Sequence, residues 1–501
     1  MSEVVIAGAG PTGLTLACEL RRAGVCVELV DQLAKRSEAS RAPGMHPRTM
    51  ELLDQRGMLE AFFEVATPVA VGHFAGIPLD MSTLPTRYPY TLRVMQGVTE
   101  RVLERFAADL GVTVQWSTAV IGVAQDDDGV TVTTRGPDGV VQRRADYVIG
   151  CDGGHSAVRG LTGIPFEGTD ANLITLLGDV ELDHPPTGRL FLERRPTGTF
   201  SVQPLGAPTG ESWQRITVTE YQPAGAARPA GSDRDEVSLD VLRGALKRVA
   251  GTDFGMHSPR WLSRFADAAR QATQYRCGRV FLAGDAAHIH PPLGGQGMNL
   301  GIQDAMNLGW KLAAVLGDYA SDRLLDTYHD ERHPIAARVL ENTRAQTALL
   351  EPGDNVAAMR SRMQNLLRVR HANELLAAEI SGLDVCYADG DSLVGRRVPD
   401  VELVTVAGRR RLYELLHAAR PLLLDFRPNA DKSGVTSDFV DHVAARCTVG
   451  QWRLPVLGWL PIPAALLIRP DGYVAWASAD GSDEGFGECL EIAWMSAADR
   501  T

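Results

Sequence analysis

The sequence predicts an α/β fold with an inserted antiparallel sheet and a smaller α/β unit at the C-terminal end. Three observations indicate this class. They are a strand, helix and strand at the N-terminus, short alternating strands over residues 171–270, and a buried strand at 279–283 that leads into a Gly-rich loop and a long helix. A chain of 501 residues is too long for one ordinary core, so we expect two or three domains.

Composition and charge exclude several classes of partner. The formal net charge is -12, and phosphate binding depends on clustered Lys and Arg, so we expect no nucleic-acid partner. We find no long uncharged apolar run and no signal peptide in MSEVVIAGAG, so we expect a cytoplasmic protein with no membrane contact. The seven cysteines are scattered and form no CxxC pair, which is typical of a reducing compartment and gives no structural zinc site.

The first element is an apolar strand, Val4 to Ala7, followed by the glycines of GAGPTG and a helix. Gly8 permits a tight turn, Gly10 lets the backbone approach a pyrophosphate, and Gly13 allows close helix packing. A second strand ends at Asp31, which is placed to accept hydrogen bonds from an adenosine ribose. This Rossmann-like unit predicts a bound dinucleotide and leaves NAD and FAD open.

The next segment, SRAPGMHPRTMELLDQRG, carries Arg41 and Arg48, which either face a cofactor or are solvated. Residues 69–95 are rich in Pro, Gly and Tyr, and we expect them to be irregular. A helix follows from about Thr99 to Leu110. Alternating strands with turn signals over residues 112–149 then predict a β-meander.

A second Gly-rich turn, CDGGHSAVR, follows the strand that ends at Gly150. Asp152 and Gly153 lie at the start of a new helix, so the turn is either a second place for phosphate or ribitol or a plain N-cap by Asp152.

Residues 171–270 predict an inserted antiparallel sheet with one helix on it. The expected elements are strands at Ile174–Leu182, Leu190–Arg194, Ser201–Pro204 and Arg215–Glu220, a loop at 222–231, and a helix near Val237–Ala250. The chain then returns to the first domain through a buried strand at Arg279–Ala283.

The stretch from Gly284 to Lys311 couples an acidic Gly-Asp turn to a Pro-Pro-Leu-Gly-Gly loop that opens a long amphipathic helix. The first helical residues are mostly too small to block a ligand, and we interpret this loop as a flavin site. His288 and His290 are spaced two apart without a third ligand, so we expect them to be structural and expect no metal.

GAGPTG with Asp31, CDGGHSAVR and GDAAHIHPPLGGQGMN together resemble the FAD-dependent aromatic hydroxylases of the para-hydroxybenzoate hydroxylase type, the class A flavoprotein monooxygenases. These motifs cover residues 1 to about 390. The chain is similar more narrowly to aromatic polyketide hydroxylases of the angucycline and anthracycline kind, through SRAPGMHPRTMELLDQRG, GHFAGIPLD and DAMNLGWKLAAVL followed by LLDTYHDERHP. It is also similar to rifampicin monooxygenases around FGMHSPRWLSRFADAAR.

The resemblance implies three domains. An FAD-binding domain comprises residues 1–170 and 275–390, and a substrate-binding β-sheet domain comprises 171–274 with parts of 69–95. Residues 391–501 look like the thioredoxin-like C-terminal domain of these hydroxylases, with a strand at Leu422–Phe426 and a hairpin at Ala465–Ala477. Because it lacks CxxC, we exclude dithiol chemistry and expect a structural or oligomer-contact role, which leaves a homodimer open.

The resemblance also implies the site residues. For the cofactor these are Gly8, Gly10, Thr12 and Gly13 at the pyrophosphate, Asp31 and Gln32 at the ribose, Arg41, Gln96 and Val120 near the adenosine, Asp152 and Gly153 for FAD and NADPH, Asp285 at the ribitol, and Pro292, Gly295, Gln296, Gly297, Met298 and Asn299 beneath the flavin ring. Asp31 stands where the family more often has Glu. For the substrate pocket the candidates are His73, Phe74, Gln203, Trp213, Pro292 and Leu293.

The implied reaction uses FAD, NAD(P)H and O2 to hydroxylate a polycyclic aromatic polyketide through a flavin C4a-hydroperoxide. The protein supplies position and dryness, so no catalytic triad is expected. One alternative is inactivation of an aromatic antibiotic such as a rifamycin. Another is a flavin dehydrogenase, a halogenase or a protein that only sequesters a ligand. The halogenase pattern of two tryptophans before Ile-Pro is absent. Residues 459–463, WLPIP, resemble that pattern only superficially.

Overall fold

A computed structural model describes residues 3–37, 42–187, 190–205, 213–221, 237–390, 392–427, 440–487 and 489. Arg41 and the loop at 222–231 lie outside these ranges. In chain order, the first part contains β1 (Val4–Ala7), α1 (Pro11–Arg22), β2 (Val27–Val30), β3 (Gly44–Met45), α2 (Pro47–Asp54), α3 (Glu60–Phe63), β4 (Thr67–Val69), β5 (Val71–Phe74), β6 (Ile77–Asp80), β7 (Thr91–Arg93), α4 (Gln96–Asp109), β8 (Val114–Gln115), β9 (Ala119–Asp126), β10 (Gly129–Gly136), β11 (Gly139–Ala145), β12 (Tyr147–Gly150) and α5 (Ala157–Thr162).

The middle part contains β13 (Phe166–Thr169), β14 (Ile174–Leu182), β15 (Leu190–Arg195), β16 (Gly198–Pro204), β17 (Gln214–Glu220), α6 (Leu239–Ala250), β18 (Met256–Ala266), β19 (Ala269–Ala272), β20 (Arg276–Cys277), β21 (Val280–Leu282) and β22 (His288–Ile289). The last part contains α7 (Gly297–Leu316), α8 (Asp326–Leu350), α9 (Asp354–Leu366), α10 (Arg370–Ser381), β23 (Glu402–Thr405), β24 (Gly408–Arg411), β25 (Leu422–Asp425), β26 (Asp441–Cys447), β27 (Gln451–Leu454), β28 (Gly458–Pro461), β29 (Ala465–Ile468) and β30 (Val474–Ser478).

The central sheet has the order β20-β21-β12-β1-β2-β8. Strands β21, β12, β1, β2 and β8 are parallel, and every residue of β1 and β12 is buried. The α/β prediction is therefore confirmed. Because carboxyl ends of parallel strands share one edge, Gly8, Asp31 and Asp152 lie along the same edge, which is where ligands bind open α/β sheets.

The inserted sheet is antiparallel, with the order β15-β16-β17-β14-β18. Helix α6 covers one face, where alternate residues such as Val202, Ile216 and Val180 form an apolar cluster with it. Strand alternation turns the intervening residues, including Ser201 and Arg215, to the opposite face. That second face is polar.

Two expectations about local structure were wrong. Residues 69–95 are not irregular, because β7 pairs with β3 and β4, and β5 pairs with β6. Helix α7 is not amphipathic, because each residue from Asn299 to Leu312 is buried between α1, α8 and the C-terminal region. Several of its polar groups are paired inside the protein, as in the ion pair of Lys311 with Glu331 at 2.8 Å.

The C-terminal sheet has the order β24-β23-β26-β25-β29-β30, in which β25 and β26 are parallel and the other pairs are antiparallel. The predicted hairpin is confirmed as β29 and β30, with a turn at Arg469–Gly472. Within the described ranges, none of the helices combines the length and the hydropathy that a membrane span requires.

Candidate functional site

The turn after β1 combines a crowded backbone with an open helix end. Gly8 has φ +103°, and a Cβ there would lie 2.3 Å from the Cys151 carbonyl oxygen. A Cβ at Gly13 would lie 2.0 Å from the Gly8 oxygen. Gly10 precedes α1, no side chain caps the helix, and no atom lies within 4 Å of the position that a Gly10 Cβ would take. This cradle with uncapped N–H groups fits a pyrophosphate.

Asp31 lies beside this turn. Its Oδ2 accepts a hydrogen bond from the Ala9 N–H, and its Oδ1 accepts one from the Leu33 N–H, both at 2.8 Å. These bonds fix the carboxylate and leave further lone pairs for ribose hydroxyls. Gln32 is exposed next to it.

The remaining residues predicted near the adenosine lie at different depths. Gln96 starts α4, accepts from the Ala42 N–H at 3.3 Å and donates to Glu100 at 2.9 Å. Val120 is buried on β9. Thr12 packs against α7, since a Cβ at Gly301 would lie 2.4 Å from its hydroxyl.

Sequence reasoning missed Glu100, a buried carboxyl on α4. Burial raises the pKa of Glu100 to about 7, the Asp31 and Glu104 charges raise it further, and Gln96 and Arg36 oppose the shift. The only sequence signal for Glu100 was its position on the predicted helix α4. Its environment depends on tertiary packing.

In the second Gly-rich turn, after β12, side chains of the turn cap the N-terminus of the helix that follows. The Asp152 Oδ2 accepts from the N–H groups of Ala157 at 2.7 Å and Val158 at 3.1 Å, and Ser156 caps α5 through the Arg159 N–H. Burial raises the pKa of Asp152. Gly153 has φ +81° and faces open space. The capping alternative therefore accounts for both hydrogen bonds that the Asp152 Oδ2 accepts.

The loop before α7 presents another glycine-lined helix end without a capping side chain. Gly294 and Gly295 have φ +76° and +69°, and no side chain caps α7. The exposed Asp285 lies nearby, because a Cβ at Gly297 would be 3.9 Å from its Oδ1 and 3.6 Å from the His290 Nε2. Small residues and free N–H groups here fit the anionic edge of a flavin.

Asn299 holds this loop in place. Its Oδ1 accepts from the His46 N–H at 2.8 Å and the Thr49 hydroxyl at 2.7 Å, and its Nδ2 donates to the Gly295 oxygen at 2.9 Å. The loop is thus tied to the start of α2.

The other predicted loop residues differ in their contacts and in their exposure. Gln296 donates to Asn342 at 3.3 Å and lines a cleft between α7, α8 and α10. Met298 packs against the core, and Pro292 is exposed. The buried His288 contacts Asp304 at 2.7 Å, and the described residues hold no cluster suited to a metal ion.

Sequence reasoning also missed His46, the residue before α2. A Cβ at Gly295 would lie 3.6 Å from its Nε2. Burial lowers the pKa of His46 to about 4, with His73 adding to the shift, and burial likewise lowers the pKa of His73. Burial therefore favours the neutral form of both imidazoles.

Apolar side chains connect the inserted sheet to this loop. Phe74, Leu293 and Leu192 of β15 belong to one apolar cluster. The polar face of the sheet is turned towards the end of α8. Arg194 donates to the Leu350 oxygen at 3.1 Å, and the Tyr221 hydroxyl donates to the same oxygen.

Arg215 occupies that polar face and was not anticipated. It is 6% exposed and forms two 2.8 Å bonds to Asp179, while its Nη1 has no hydrogen-bond partner. Gln203 is its register partner on β16, and the Trp213 oxygen accepts from the Leu205 N–H at 2.9 Å. Arg215 can therefore donate to a ligand oxygen.

Comparison with known proteins places this arrangement in a family. A family model described as FAD binding domain matches residues 1–343, and one described as aromatic-ring hydroxylase, C-terminal, matches residues 391–498. The chain is 46% identical over 493 residues to the 12-dehydrotetracycline 5-monooxygenase/anhydrotetracycline 6-monooxygenase of Streptomyces rimosus, covering 95% of each chain. It is 44% identical over 488 residues to a rifampicin monooxygenase of Streptomyces venezuelae, covering 96% of each. The structure of CabE, an aromatic hydroxylase from angucycline biosynthesis, matches with a TM-score of 0.89 at 40% identity, over 99% of each chain.

Proposed function

Because the chain belongs to the FAD-dependent aromatic-ring hydroxylases, we propose that it hydroxylates a polycyclic aromatic polyketide with NAD(P)H and O2. The chain is a flavoprotein monooxygenase, and its cofactor is FAD. The observation that carries the proposed site is the pair of uncapped, glycine-lined helix ends, those of α1 and α7. Such ends bind a diphosphate and stabilise a negatively charged ring edge.

When bound, FAD would supply the chemistry, namely hydride acceptance from NAD(P)H and activation of O2 for hydroxylation of an electron-rich aromatic carbon. In the proposal, the α1 end binds the pyrophosphate, Asp31 orients the adenosine ribose and Asp285 binds the ribitol. The N–H groups of Gly297 and Met298 would stabilise negative charge on the flavin ring.

The proposed substrate lies between the flavin loop and the polar face of the inserted sheet. His73, Phe74, Pro292 and Leu293 contact its apolar surface, and Gln203 and Trp213 border it. The unpartnered Nη1 of Arg215 donates to a phenolate or carbonyl oxygen of the substrate. A domain boundary of this kind is where ligand sites commonly form.

A second candidate is inactivation of an aromatic antibiotic such as a rifamycin. The identity of 44% to a rifampicin monooxygenase favours it, and the same chemistry serves both roles.

The proposal also places the reaction in the cytoplasm, where NAD(P)H is present and where seven free cysteines stay reduced. A homodimer through the C-terminal region is part of the proposal, and light scattering tests it.

The test is to purify the protein, record its flavin spectrum and follow NADPH and NADH oxidation with O2 while screening tetracyclic phenols and rifamycins. Hydroxylated product with tightly coupled NADPH use is expected. A colourless protein that takes up no FAD would refute the cofactor site.

Arg215→Met should raise KM for the substrate about tenfold or more without changing FAD content. An unchanged KM would remove Arg215 from the pocket.

A further inference from the structure

Helix α2 joins the C-terminal hairpin to the flavin loop. The sequence left Arg48 either at the cofactor or in solvent, but the structure places it at neither. Its side chain is fully buried, its Nη2 donates to the Asp471 oxygen at 2.8 Å, and its guanidinium lies 4.7 Å from the centre of the Tyr473 ring. Asp471 lies in the turn of the β29–β30 hairpin, and Tyr473 immediately precedes β30.

The same helix makes further bonds to the C-terminal region. Glu51 accepts from Arg48 at 3.0 Å and from Arg397 at 2.9 Å, with all three side chains buried. Just after α2, Arg56 donates to the Pro470 oxygen at 2.8 Å. Buried charges with several fixed partners allow little movement, so the hairpin fixes the position of α2.

The first turn of α2, which carries Arg48, also fixes the loop. The His46 N–H and the Thr49 hydroxyl both donate to Asn299 Oδ1, and Asn299 in turn donates to the Gly295 oxygen. A displacement of α2 would therefore move Asn299 and the backbone of Gly295. We propose that the C-terminal hairpin positions the flavin loop through α2, with Arg48 as the positioning residue. This inference rests on the proposed FAD site.

The experiment compares Arg48→Met with Arg453→Met in the full-length protein. Arg453 also connects the C-terminal region to the rest of the chain, through Glu374 at 2.6 Å and the Thr83 oxygen at 3.0 Å, but it makes no bond to α2. The readouts are the Kd for FAD, from fluorescence titration of apo-protein, and the visible circular dichroism of bound flavin. Thermal unfolding is measured in parallel.

Arg48→Met is expected to raise the FAD Kd about tenfold and to change the flavin dichroism, with partial rescue in Arg48→Lys. Arg453→Met is expected to lower thermal stability and leave both flavin readouts unchanged. Equal flavin readouts in the two variants would overturn the inference, because the hairpin would then contribute stability alone. Wild-type protein that fails to bind FAD would instead contradict the proposed function itself.

Thr49→Val provides a second, milder variant in case Arg48→Met does not fold. It removes only the hydroxyl that donates to Asn299 and keeps every hairpin contact. It should shift the FAD Kd and the flavin dichroism in the same direction as Arg48→Met. No shift with Thr49→Val would overturn the connection from α2 to the loop.

Discussion

The two Gly-rich turns beside β1 and β12 look alike in sequence and differ in what occupies the following helix end. After β1, Gly8 and Gly13 are crowded by backbone, yet the end of α1 faces open space. After β12, Asp152 and Ser156 satisfy the end of α5 with their own side chains. A glycine pattern therefore indicates a ligand site only where the chain leaves the helix N–H groups without a capping side chain.

The largest expected effect is that of Gly8→Ala. A Cβ would lie 2.3 Å from the Cys151 oxygen, and the φ of +103° is strained for alanine, so we expect a loss of more than about 4 kcal/mol in urea unfolding. Gly139→Ala is the matched control, since its φ is +106° but no atom lies within 4 Å. It should cost about 1–2 kcal/mol. Equal losses would mean that crowding does not define the first turn.

Glu100→Gln tests the buried carboxyl near Asp31, which lies beside the turn after β1. The folded-state pKa is raised to about 7, so the wild-type loses stability as pH rises from the unfolded value of about 4.3 through 7. The variant lacks this loss and should gain about 3 kcal/mol relative to wild-type between pH 4 and pH 8. Urea unfolding of apo-protein at both pH values measures it. A pH-independent difference would contradict the raised pKa.

Gly10→Ala separates cofactor binding from folding. The apo-protein has room for the methyl group, so its stability should change by less than about 1 kcal/mol. The same methyl group would enter the pyrophosphate space, and we expect the FAD Kd to rise about tenfold or more, equivalent to about 1.4 kcal/mol. Fluorescence titration measures this change. An unchanged Kd would place the anion elsewhere.

Asp152→Ala is expected to have the smallest effect. Losing the two bonds to the Ala157 and Val158 N–H groups should cost about 1 kcal/mol of stability while the FAD Kd stays within twofold. Titration of FAD into the variant, beside thermal unfolding, measures both. A tenfold weaker FAD affinity would restore the cofactor role that family resemblance implies for this turn.

Local patterns predicted the parts of the fold that depend on neighbours in sequence. Glycine spacing and apolar runs were enough for β1, α1, β2 and the start of α7. The polar face of the inserted sheet was missed, because the pairing of Arg215 with Asp179 depends on strand register. The burial of Arg48 was equally hidden, since its partner Asp471 is 423 residues away in the chain. Arginine in a Pro-rich loop is usually solvated.

The interlocking of α2 with the C-terminal hairpin restricts how such proteins recombine. Residues 391–498 match a separate family model, so a designer of chimeras would choose the start of this region as a boundary. A chimera made at that boundary would leave Arg48, Glu51 and Arg56 buried against unfamiliar partners. A chimera that keeps these buried contacts must therefore take the eight-residue helix α2 from the same parent as the last fifth of the chain.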